Sequence, residues 1–207
     1  LLYVYWHIFT YFAPYKGTTM HKKLLVTAYF VIAALLQTLA GNFPLSFFAF
    51  PLNVIVAVIW IYSLWRLYKE GNKLPLTRFL LSSRTSVLSI LLLIGGSLVI
   101  GLFPQLSEAE ADSMPGVLAS LGCYNFMTSW IFIAILFLLL SNLAMVIIHA
   151  FYHCVPAKKR FILNHLGLWL ALFAGFFGSS DVQTLRIPLY AGQPGREAYS
   201  MDGKAYY

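Results

Sequence analysis

Three histidines stand in apolar sequence, where an imidazole needs a partner. His165 lies inside the run Phe161 to Gly178, and His149 and His153 close the run Trp130 to Ala150 at i and i+4. A titratable ring in or near hydrocarbon must find a helix neighbour, a metal or water in a cavity. Its neutral nitrogen is also a good ligand for haem iron. His165 comes four residues after Phe161, about one helical turn into its run. Two readings stand for it: an axial haem ligand paired with a second histidine on another helix, or a headgroup-level histidine bonded to a carbonyl or a lipid phosphate. The His149 and His153 spacing suits a metal pair, but both sit at a basic boundary where solvated side chains are expected. Asn142, seven residues before His149, falls on the same stripe and reads as an interhelical hydrogen bond. His7 and His21, in aromatic and basic boundary settings, indicate nothing further. Nucleophilic catalysis finds no support, since G-x-S-x-G is missing and the mid-run polar groups are small.

The elements that must position these residues are membrane helices. Hydrophobic residues make up 60% of the 207 and charged residues 10%, against about 45–50% and about 25% in ordinary soluble domains. Five full spans are expected, over 24–41, 45–65, 87–103, 130–150 and 161–178. The first ~14 residues read as a partial helix, either the exit half of a span or an interfacial helix. The fold class is all-α, a polytopic helical membrane protein. The first two full spans are joined closely enough to form an antiparallel hairpin. Gly95, Gly96 and Gly101 would let another backbone approach the third. The net charge of +7 invites a nucleic-acid partner, but the basic residues are short clusters between spans with no extended basic face, which argues against one.

Charge also sets an orientation. The segments 15–23, 66–84 and 151–160 hold 11 of the 14 Lys and Arg residues, and the alternate segments hold six of the seven acids. By the positive-inside rule those three segments face the cytoplasm and the C-terminal tail lies on the other side. Cys123 and Cys154 bracket one span without CxxC spacing, so neither a metal knuckle nor a mutual disulfide is expected. The chain starts on Leu and stops at Ala-Tyr-Tyr, and is expected to be trimmed at both ends.

Three pieces in order carry a resemblance. Phe79 to Leu106 has a Ser-rich basic start, a Leu-rich span and the exit Pro104-Gln105. Ser129 to Ile148 has Trp130 at the entry and Asn142 within. Arg160 to Gln193 contains His165-Leu166-Gly167 and runs into an extended segment. Together they resemble the membrane core of the ResB/CcsB family of system II cytochrome c biogenesis. The implied organisation is an N-terminal hydrophobic extension over 1–65, a three-helix core over 66–178, and from 179 to 207 the start of a truncated extracytoplasmic domain. Family members usually carry a sizeable extracytoplasmic domain and often a further helix, which this sequence lacks. The tryptophan-rich haem-handling segment of the partner CcsA is also missing, and Trp6, Trp60, Trp65, Trp130 and Trp169 are isolated along the sequence. There is no CxxCH, so the chain is not itself a c-type cytochrome.

What the resemblance implies is a subunit that binds or delivers haem b across a bacterial inner membrane. It would work with a CcsA-type cytochrome c assembly protein, and the haem would be attached to apocytochrome c. His165 matches the family histidine thought to ligate haem iron with a partner's histidine. The chain would then be one part of a haem lyase, not an enzyme by itself, and Arg84 would either attract porphyrin propionates or simply anchor the helix in lipid. The competing expectation is a b-type haem anchor of a quinone-linked respiratory complex, which needs paired ligand histidines within the chain. A cofactor-free transporter is the third; no acid lies inside any span to serve it.

Overall fold

The computed structural model describes residues 19–45, 49–71, 74–106, 110–111, 113–153, 159–181, 185–187, 198–200 and 205–206. The expected partial helix before residue 15, His7 and Cys154 lie outside them. The described chain is helical: α1 (Thr19–Ala40), α2 (Leu52–Lys69), α3 (Pro75–Leu80), α4 (Ser83–Leu102), α5 (Val117–Ser120), α6 (Trp130–Tyr152) and α7 (Lys159–Phe177). Helices α2, α4, α6 and α7 are each long and apolar enough to cross a membrane, and α1 carries a shorter apolar stretch, Val26–Ala40.

Local chemistry fixes the ends. Ser129 caps α6 by accepting from the Phe132 N–H at 3.1 Å. Gly41 closes α1 in the left-handed region, φ 72°, and its N–H returns to the Gln37 carbonyl. The span expected over 45–65 instead starts at Leu52 and runs on to Lys69. Pro51 precedes its first turn, and at the far end the Arg66–Glu70 pair (3.6 Å) and Lys69 over the Trp65 ring (4.0 Å) extend it.

Helix α6 is the axis of the bundle. In its most apolar window 61% of residues are buried, against 17% in α2, α4 and α7. Helices α1, α2, α4 and α7 all pack against it. Gly96 is where α4 comes closest, its Cα facing the Phe126 and Phe132 rings so that a Cβ would sit 3.3 Å from both. Gly95 and Gly101, expected to share this role, face open space. Helices α1 and α2 run antiparallel as expected, but they hardly touch. Each rests on α6, and an apolar cavity of about 500 Å³ lies between them. The N-terminal helices therefore share one core with the rest, and the packing shows no seam at residue 65.

One end of the bundle carries Arg66 and Lys69 in the last turn of α2 and Arg78 in α3. There α3 folds back into the bundle, with Thr77 and Leu80 buried against α6. The Asn142 amide donates to the Leu80 carbonyl at 2.5 Å, at the break between α3 and α4. This gives a buried backbone acceptor a partner and is the interhelical role expected of Asn142. At the opposite end Gln105 knits the segment after α4 to the 3-10 helix Cys123–Thr128. It accepts from the Phe126 N–H and donates to the Cys123 carbonyl. In the tail, β1 (Leu185–Arg186), β2 (Ala198–Ser200) and β3 (Ala205–Tyr206) form a small antiparallel sheet in that order.

Candidate functional site

Helix α7 presents Ile162, Leu166, Trp169, Phe173 and Phe177 to the bundle at helical spacing. His165 lies beside this stripe, half-buried, six residues or about 9 Å past the helix start at Lys159. Phe161 and Leu168, one turn to either side, are exposed. The ring packs on that of Phe161, centroids 3.8 Å apart, and Nδ1 lies 2.8 Å from the Phe161 carbonyl oxygen. A carbonyl only accepts, so Nδ1 carries the hydrogen. In the neutral ring Nε2 then holds a lone pair, which is how a backbone carbonyl sets the tautomer of a metal-binding histidine. The carbonyl partner of the bland reading is present, and it leaves the other nitrogen competent as a ligand.

The second group stands at the same end of the bundle. His149 Nδ1 meets the Tyr68 hydroxyl at 3.2 Å, and the His153 Nδ1–H donates to the His149 carbonyl at 3.1 Å. Their rings are 4.4 Å apart and tilted by 33°. Tyr152 stacks beside Tyr68 at 5.1 Å and accepts from the Trp65 indole N–H at 3.1 Å. Along the stripe expected of α6, Asn142 meets the Leu80 carbonyl at the α3–α4 break and His149 meets Tyr68 of α2. His165 bonds within α7 and His153 within α6, whereas His149 also meets Tyr68 of α2. No cluster of three or more His, Cys, Asp or Glu side chains gathers for a metal ion among the described residues.

No family model, curated protein or solved structure matches this chain. What the site can do is therefore argued from its own chemistry. His165 supplies one imidazole nitrogen from the flank of a membrane-length helix, a donor that could hold a haem iron together with a ligand from outside α7.

The aromatic wall was not legible as such. Trp60 of α2 stacks on Trp169 (6.3 Å, 15°) and Phe173 (6.3 Å, 6°), and Phe173 stacks in turn on Trp169 and Phe177. Trp60 and Trp169, far apart along the sequence, are thus paired across two helices. The spacing of Trp169, Phe173 and Phe177 at i, i+4 and i+8 was the signal. The Trp169 indole N–H also donates to the Leu140 carbonyl at 3.1 Å, holding α7 beside α6 just above His165.

Proposed function

We propose that this chain is a haem-handling membrane subunit of the ResB/CcsB type. It holds haem at His165 with a histidine from a CcsA-type partner and delivers it for attachment to apocytochrome c. The observation that carries the reading is the hydrogen bond from His165 Nδ1–H to the Phe161 carbonyl, which in the neutral ring leaves the lone pair on Nε2 for a ligand. The placement agrees with a shared site. His165 is flanked by the exposed apolar side chains Phe161 and Leu168, a surface on which another membrane helix can lie.

The basic end is taken as cytoplasmic, which places the C-terminal tail outside and the protein in a bacterial inner membrane. Haem, when bound, supplies the iron and the group to be transferred. The chain's own part is to fix the tautomer of His165, hold its ring against Phe161 and present it at a depth set by α7.

The test is an absorption spectrum of the complex purified with its partner. Replacing His165 with Ala is expected to remove most of the Soret band, and imidazole added to that variant to restore part of it. Replacing His149 or His153 is expected to leave the band nearly unchanged. Haem content unaffected by His165→Ala would end the assignment. A six-coordinate spectrum from the isolated chain, lost equally on changing His149 or His153, would favour the respiratory-anchor reading instead.

A further inference from the structure

Two cavities meet at the basic end of α2, and they differ sharply in character. The first, about 370 Å³, is lined by Tyr68, Lys69, Thr77, His149, Tyr152 and His153, among others. The second, about 500 Å³, lies between α1, α2, α3 and α6, and its lining, including Leu67, Leu76, Leu80 and Phe137, is almost wholly apolar. They share walls residue by residue: Leu67 lines one and Tyr68 the other, as do Leu76 and Thr77, and Leu80 and Leu81. The Thr77 hydroxyl, donating to the Leu67 carbonyl at 3.2 Å, closes the seam between them.

The polar cavity is built for a negative group. Among the described residues no acidic side chain lines it, and the neighbouring Glu70 is turned onto Arg66 at 3.6 Å. Lys69 brings a fixed positive charge, its ammonium steadied over the Trp65 ring. The Tyr152 oxygen accepts from the Trp65 indole, a bond that does not use its own hydroxyl proton. His153 donates through Nδ1 to the His149 carbonyl, and its ring lines the same cavity. This cationic, hydroxyl-bearing cavity opens at the basic end of the spans, and the apolar one continues beneath it.

From this pairing we infer a specific site for an anionic membrane phospholipid, its phosphate in the Tyr68–Lys69–His153 cavity and one acyl chain between α1 and α2. Basic pockets between membrane helices on the cytoplasmic side bind such headgroups. The gap between α1 and α2 then has an occupant that completes their contact. The site uses none of the atoms of His165 and stands apart from haem binding.

The experiment is native mass spectrometry of the delipidated full chain titrated with palmitoyl-oleoyl phosphatidylglycerol or phosphatidylcholine. The expected result is retention of phosphatidylglycerol about tenfold stronger than phosphatidylcholine. In the double variant Lys69→Gln, His153→Gln that preference should fall to near unity. Glycerol phosphate, with no chain for the apolar cavity, is expected not to be retained. Equal retention of the two lipids, a preference untouched by the double variant, or glycerol phosphate binding as well as the lipid would each overturn the site. If the variant does not fold, competition between spin-labelled phosphatidylglycerol and phosphatidylcholine on the unaltered chain decides: a preference for the anionic lipid supports the site, and none overturns it.

Discussion

The side-chain amide of Asn53, at the start of α2, lies 2.6 Å from the Asp181 carboxylate and 2.9 Å from the Phe177 carbonyl, where α7 ends. Asp181 also accepts from the Phe50 N–H at 2.9 Å. One buried amide thus joins two helix ends that lie 124 residues apart in sequence. It donates to a carbonyl in the last turn of α7, where helix carbonyls run out of i+4 donors. The same clasp sets where the tail leaves the bundle.

Replacing Asn53 with Ala removes its hydrogen bonds to the Phe177 carbonyl and to Asp181. The expected cost is about 1–3 kcal/mol, the range for lost hydrogen bonds of which one is to a carboxylate. Asp181→Asn keeps an oxygen to accept with and should cost less. Thermal unfolding of the detergent-solubilised protein checks this. An Asn53→Ala protein as stable as the parent would mean that the clasp contributes nothing.

A graded series at Trp169 separates packing from hydrogen bonding. Trp169→Phe loses the bond to the Leu140 carbonyl and part of the stack on Trp60, at an expected cost near 1 kcal/mol. Trp169→Ala empties the site and should cost about 3–5 kcal/mol. Combined with Trp60→Phe, the double-mutant cycle is expected to show coupling, because the rings touch. Additive effects would refute the stack as a stabilising unit.

Gly96 and Gly95 offer a paired control on one helix. A Cβ at 96 must displace the Phe126 or Phe132 ring, whereas at 95 it enters open space. Gly96→Leu is therefore expected to destabilise α4 against α6 by about 1–3 kcal/mol. Gly95→Leu should be near neutral or slightly stabilising through helix propensity. Equal effects at both positions would show that the close approach is not where the structure places it.

Much of the architecture was legible because the bilayer leaves few alternatives. A run of Leu and Ile from Trp130 to Ile148 can only be a helix there, and a Lys–Lys–Arg cluster before Phe161 can only mark an end. What periodicity does not encode is which span becomes the axis: α6 and α4 are both Leu-rich, and only the packing shows that α6 is enclosed. Loop length suggested that α1 packs on α2, but a short connection fixes proximity of ends, not lateral contact. The three glycines of α4 look alike in sequence, yet only Gly96 has a neighbour. For the candidate site, the sequence marks His165 and its depth. The tautomer set by the Phe161 carbonyl, the Trp60–Trp169 stack and the His149–Tyr68 contact depend on rotamers and on which helices become neighbours. No spacing rule supplies those.

Cys123 opens the 3-10 helix before α6 and is 8% exposed. Its burial disfavours the thiolate and pushes the thiol above its ordinary value. With Cys154 changed to Ser so that one thiol remains, alkylation by N-ethylmaleimide at pH 8 is expected to run at least tenfold slower on the folded protein than in denaturant. The same shift sets the sign of a pH dependence. The folded chain keeps its proton to higher pH than the unfolded chain, where a thiol ionises near ~8.5. The stability this contributes is fully present below that value and is lost as pH rises through the folded value. Cys123→Ala, which has nothing to ionise, should therefore lose less stability between pH 8 and pH 10 than the single-thiol parent. Mass spectrometry of the labelled protein and unfolding midpoints at the two pH values measure both effects. Rapid labelling of the folded chain would place the thiol at the surface and sink the prediction.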